Sequence, residues 1–180
     1  MNPLYGALFL NISYLSFRWF AMHFHWFEPG DFLWKMPVFP ILVALPVLQI
    51  FAVQRFLTRL ERGEATQNSF FATYKEAAKV GLLASVLISA SIWLYYSFID
   101  KTYLPAVVLQ AISEAATDGL PAEQLKSYGQ TISTFNQPNL RAVFTLSGLT
   151  VFGMLSAWPA ALFSMQLKHR FFSAASNSNP

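Results

Sequence analysis

Charged positions in this chain fall into clusters separated by long apolar stretches, and the clearest stretch is residues 80–99 (VGLLASVLISASIWLYYSFI), which carries no charge. A helix rises about 1.5 Å per residue, so a run of this length covers roughly 30 Å, the thickness of a bilayer's hydrocarbon core. Lys75, Glu76 and Lys79 mark one end. Trp93, Tyr95 and Tyr96 lie near the other, ahead of Asp100 and Lys101, as expected for aromatic side chains at headgroup depth. Thr73 and Glu76 have the spacing of a capping box, which predicts the helix start. The rest of the chain is organised around this membrane helix.

Three further spans follow from the same pattern. Residues 4–26 predict a first membrane helix with a strongly aromatic second half, interrupted by Arg18. No Asp or Glu lies inside any of the four spans, so Arg18 reads as an interfacial residue that extends toward the headgroups rather than as an ion site. Asn11 reads as an interhelical hydrogen-bonding residue. Glu28-Pro29-Gly30-Asp31 is a turn. Residues 36–54 form the second span, in which Pro46 predicts a kink near the middle. Arg55, Arg59, Glu61, Arg62 and Glu64 form a charged link broken at Gly63. Residues 142–167 are uncharged and predict a fourth, tilted span bent at Pro159 and closed by Lys168, His169 and Arg170.

Between the third and fourth spans, residues 100–139 predict two short amphipathic helices over 104–117 and 121–134, divided at Asp118-Gly119. Their apolar stripes include Val108 and Ile112 on one and Leu125, Tyr128 and Ile132 on the other. These stripes predict a hairpin folded back over the bundle and a candidate surface for a partner. Gly129 weakens the second helix. The expected organisation is a first helix pair with its link (1–64), a second pair with the intervening segment (65–172), and a disordered Ser/Asn-rich tail (173–180).

Composition agrees with this all-α, polytopic reading of four transmembrane helices and a short helical hairpin. The 180 residues are 54% hydrophobic and 12% charged, against about 25% charged in soluble domains. The absence of cysteine excludes disulfides and thiolate metal sites. A dispersed net charge of +3 lacks the basic face that nucleic-acid binding requires. The N-terminal stretch lacks a basic n-region and a small-residue cleavage site, so the first helix is expected to be retained. Arg55, Arg59, Arg62, Lys75, Lys79, Lys168 and Arg170 fall on one side of the membrane. Lys35, Lys101, Lys126 and Arg141 fall on the other, which predicts cytoplasmic termini and an external 100–139 segment.

Signals for chemistry are weak. His23 and His25 are two residues apart and point to different helix faces, while His25 with Glu28 falls short of a zinc ligand set. Glu28, Asp31 and Asp100 share the outer interface, where turn and helix-end roles explain them. Neither a catalytic constellation nor a cofactor motif is read from the sequence. Small residues at four-residue spacing carry more information: Gly81, Ser85 and Ser89 in the third span, with Gly153, Ala157 and Ala161 in the fourth. Small side chains allow helix backbones to approach in a membrane, so these positions predict a helix–helix seam.

Residues 63–170 resemble a family of bacterial inner-membrane proteins, found chiefly in Bacteroidota, known as domain of unknown function family 4199. The resemblance rests on 69–85 (SFFATYKEAAKVGLLAS), on SFIDKTYLP, on the Leu-Pro-Ala-Glu-Gln helix start, and on FNQPNLRA before the last span. It implies four spans in a bacterial inner membrane and brings no activity. The pattern is best read as a non-catalytic accessory or interaction subunit of an envelope complex, partnered by a membrane protein or by further copies of itself. A small transporter or lipid-handling protein is the alternative, motivated by Arg18, Pro46, Gln49 and Pro159.

Overall fold

The computed structural model describes the backbone of residues 2–24, 38–64 and 69–176, and side chains throughout these except at 18, 21–23, 38–40 and 167–176. The turn expected at Glu28–Asp31, residues 36 and 37, His25 and residues 177–180 lie outside the described residues. Six α-helices account for the described secondary structure: α1 (Pro3–His23), α2 (Val38–Glu61), α3 (Phe70–Leu94), α4 (Tyr103–Thr117), α5 (Ala122–Phe135) and α6 (Pro138–Ser176). There is no strand among the described residues. A π-helical turn, Tyr95–Ile99, widens the end of α3 and is closed by the Asp100 N–H on the Tyr95 carbonyl, at 2.9 Å. No residue pattern in the chain marks this turn. It directs Tyr96 inward, where its ring stacks on Tyr103 of α4 with centroids 5.6 Å apart.

One helix start and one helix end differ from the sequence reading. The predicted capping box at Thr73 and Glu76 does not form. Ser69 is the N-cap of α3, its Oγ accepting from the Ala72 N–H at 3.2 Å. Thr73 lies one turn inside and donates its hydroxyl to the Ser69 carbonyl, while Glu76 pairs with Lys79. A serine adjoining Phe70 caps a helix whose first turn is already apolar, a start that a search for charged flanks overlooks. The charged link is itself helical as far as Glu61, because Arg55, Arg59 and Glu61 are good helix formers. The break comes at Gly63, whose φ of +72° fits a left-handed C-terminal cap: the Gly63 and Glu64 N–H groups reach back to the Leu60 and Arg59 carbonyls. Gly119 (φ +86°) ends α4 in the same way. Both α2, through Pro46, and α6, through Pro159, remain continuous helices.

The bundle is built round α3, which packs against α1, α2 and α6, while α2 also contacts α1 and α6. Its core unites Ala7, Leu10 and Tyr14 of α1, Leu45 and Leu48 of α2 and Val80, Ala84 and Ile88 of α3. A second cluster joins Val53 and Leu57 to Ala77 and Ala157. The distribution of residues is inverted relative to a water-soluble protein. Gln49, Thr73, Ser85 and Ser164 are fully buried, whereas Val86 (55% exposed), Val151 (57%) and Leu155 (69%) lie on the outside. Large apolar residues over the whole perimeter with polar residues between helices is what lipid, not water, selects. Among the described residues, three helices are long and apolar enough to cross a membrane: Ile41–Glu61, Phe70–Ile99 and Pro138–Gln166. The fold is that of an all-helical membrane protein, and α1 is not among these three.

The helices between α3 and α6 do not fold back over the bundle. α4 and α5 pack on each other, and among the described residues their contacts with the bundle are confined to the base of the pair, where Leu104 is buried and Phe135 meets Phe144. Gly129 is the reason the two can approach: a Cβ there would lie 3.0 Å from the Ile112 Cδ1. The apolar stripes therefore meet each other rather than the membrane helices.

Candidate functional site

Two features stand out, a polar seam between α3 and α6 and an apolar groove beside it. The seam begins at Gly81 and Gly153, where the backbones of α3 and α6 touch: a Cβ on Gly81 would lie 2.8 Å from the Gly153 Cα. One turn along, the Ser85 hydroxyl donates to the Leu82 carbonyl at 2.8 Å. Its single proton is then committed, so in the 2.9 Å contact with Thr150 the threonine is the donor. Farther on, Ser89 donates to the Ala142 carbonyl at 2.6 Å, and the Trp93 indole N–H donates to Asn139 Oδ1 at 2.7 Å. The helices run antiparallel, and this run of contacts fixes their register. Ala157 and Ala161 are fully buried in the other direction along α6.

Gln49 of α2 joins the seam at its closest point. Its amide Nε2 donates to the Gly153 carbonyl at 2.7 Å, and its Oε1 accepts from Ser156 at 2.8 Å. A helix carbonyl is ordinarily occupied by its own helix. Here glycine leaves it open from the side, so a long amide from the next helix reaches it. Gln49, read from the sequence as a candidate intramembrane polar residue, is 0% exposed and is engaged at both ends of its amide. Arg18 lies within α1, with its side chain outside the described residues. Asn11 departs from the role expected of it: its Oδ1 is buried without a hydrogen-bond partner among the described residues.

The remaining sequence-derived candidates are accounted for in place. Val108, Ile112, Leu125, Tyr128 and Ile132 are each half-buried, and Ile112 is set against Gly129, so the stripe is used largely within the α4–α5 pair. Asp100 Oδ1 accepts from the Tyr103 N–H and the Thr102 hydroxyl, both at 3.0 Å, which fastens the start of α4. His25, Glu28 and Asp31 lie outside the described residues, as does the His23 side chain.

The groove has a volume of ≈ 490 Å³ and opens between α6 and the α1–α2 side, at the end of the bundle where α4 and α5 emerge. Ile88 and Ile92 of α3 form part of its lining, with Leu149 and Phe152 of α6. Gly148 also lines it, and a Cβ added there would meet nothing within 4 Å. Asn136 and Arg141 supply its polar end. Arg141 Nε donates to Asn136 Oδ1 at 3.2 Å and Nη2 donates to the same oxygen, which leaves Nη1 without a partner among the described residues. From the sequence, Arg141 is only a flanking charge. Its place beside a groove depends on α1 and α6 standing apart, which no local pattern records.

Comparison with curated proteins and with solved structures returns no match. A family model described as "Protein of unknown function (DUF4199)" matches residues 4–166. The match starts within α1 and so takes in the first helix pair as well as the C-terminal region that carries the sequence resemblance. This chain belongs to the DUF4199 family.

Proposed function

We propose that this protein is a multi-pass protein of a bacterial inner membrane, with α1 as a fourth membrane helix and both termini cytoplasmic, acting as a non-catalytic accessory or interaction subunit of an envelope complex. In this reading α1 crosses with the others because it lies along α3 and contributes Ala7, Leu10 and Tyr14 to the shared core. Asn2 and Pro3 line one small cavity with Arg55, Arg59 and Glu76, which sets the start of α1 level with the basic ends of α2 and α3. The Lys/Arg bias then supports a cytoplasmic position for that end.

The observation that carries the interaction role is the α4–α5 pair. Among the described residues it meets the bundle only at its base, half-buries its stripes within the pair, and still presents Leu109 at 69% exposure. The polar residues of the seam are meanwhile committed to helix–helix hydrogen bonds, which supports a structural rather than a conducting interior. Leu109→Asp should abolish co-purification of a membrane-protein partner, or of further copies of the chain, in mild detergent, while Gln124→Asp on the same pair should not. Equal recovery with both variants would refute the reading. Lipid handling is the second reading, and the groove is the observation in its favour.

A further inference from the structure

We infer that the groove beside α6 holds an acyl chain of an anionic phospholipid, with the lipid phosphate on the guanidinium of Arg141. This goes beyond the accessory role and does not depend on it. The first argument is charge. Arg141 occupies the first turn of α6, where helix N–H groups already concentrate positive potential, and that turn contains no acidic residue. The cation is half-buried, and no carboxylate pairs with it among the described residues. Asn136 takes two of its N–H groups through a single neutral oxygen, leaving Nη1 to face an acceptor. A positive helix end and an arginine at one place call for an anion, and phosphate fits the planar guanidinium.

The second argument is what adjoins that cation. A free inorganic anion has no use for the apolar walls of Ile88, Ile92, Leu149 and Phe152, whereas an amphiphile uses both ends of the site at once. The volume of ≈ 490 Å³ falls within the range of about 300–1,000 Å³ typical of small-molecule sites. Arg141 is also close to the helix end. It lies three positions after Pro138, about 4.5 Å of rise, so its side chain reaches headgroup depth when α6 spans the membrane. Gly148 lines the groove with open space where a Cβ would stand, so a large side chain there would project into it.

The test uses the full chain in detergent, with phosphatidylglycerol, phosphatidylcholine of the same acyl chains, or inorganic phosphate added, and lipid retention read by native mass spectrometry. Wild-type protein should retain phosphatidylglycerol about tenfold better than phosphatidylcholine, the scale of one charge-assisted contact. Arg141→Gln should reduce that preference to within about twofold, and Arg141→Lys should keep most of it. Gly148→Phe should remove retention of both lipids without touching the cation. Helical circular dichroism and the elution profile show that each variant is folded, and the Lys and Phe variants decide the matter if the Gln variant is not. Equal retention of the two lipids, undiminished retention by Gly148→Phe, displacement by inorganic phosphate alone, or a lipid-free dimer closing the groove would each overturn the inference. Leu109→Asp should leave lipid retention unchanged, so the two proposals fail separately.

Discussion

Gly81 of α3 and Gly153 of α6 meet backbone to backbone, with no space for a Cβ on either: an added carbon at Gly81 would stand 2.8 Å from the Gly153 Cα and 3.2 Å from its carbonyl oxygen. Those neighbours are main chain and cannot turn aside as a side chain would. Gly81→Leu must therefore separate the helices, which also loosens the Ser85–Thr150 and Gln49–Gly153 hydrogen bonds. The expected cost exceeds the roughly 1–3 kcal/mol of ordinary overpacking. Val86→Leu, on the exposed face of the same helix, should cost less than about 0.5 kcal/mol. Thermal unfolding in detergent compares them, and equal losses would show that the seam is not where α3 is held.

The Gln49–Ser156 contact should behave as a coupled pair. Gln49→Leu removes the donor to Gly153 and the acceptor of Ser156, while Ser156→Ala removes only the latter's proton. Interhelical hydrogen bonds in membranes average about 0.6 kcal/mol and reach about 1.7. A double-mutant cycle should give a coupling in that range. Additive effects would mean that the two side chains do not share a bond.

The start of α3 gives a sharper comparison. Ser69→Ala removes the Oγ that accepts from the Ala72 N–H and should cost about 1 kcal/mol. Glu76→Gln breaks only a partly exposed pair with Lys79 and should cost less than about 0.5 kcal/mol. Denaturation of the two variants decides between the caps; a larger loss at Glu76 would restore the capping box at Thr73.

What the sequence made legible follows from which physics is local. The apolar run of α3 and the spacing of Gly81, Ser85 and Ser89 are visible because span length and helix faces are properties of one segment. The acceptors opposite them are not visible, since Ser89 and Gln49 bond to the main-chain carbonyls of Ala142 and Gly153, and a carbonyl has no side-chain signature. The same holds for the π turn at Tyr95–Ile99, which is set by a single backbone register. Gly129 works the other way: its low helix propensity reads as a weakness of α5, yet it is the place that receives Ile112. The paired stripes predict a hairpin, which α4 and α5 form; the expected fold back over the bundle fails because each stripe supplies much of the other's partner.

The most direct test of a four-helix membrane protein with α4 and α5 outside uses the absence of native cysteine. Ser127→Cys in α5 and Arg62→Cys at the end of α2 are labelled separately with an impermeant thiol reagent on intact spheroplasts and again after lysis. The account predicts labelling of residue 127 on intact spheroplasts and of residue 62 only after lysis. Labelling of 62 but not 127 on intact spheroplasts would reverse the orientation, and labelling of both would contradict the separation of these segments by the membrane.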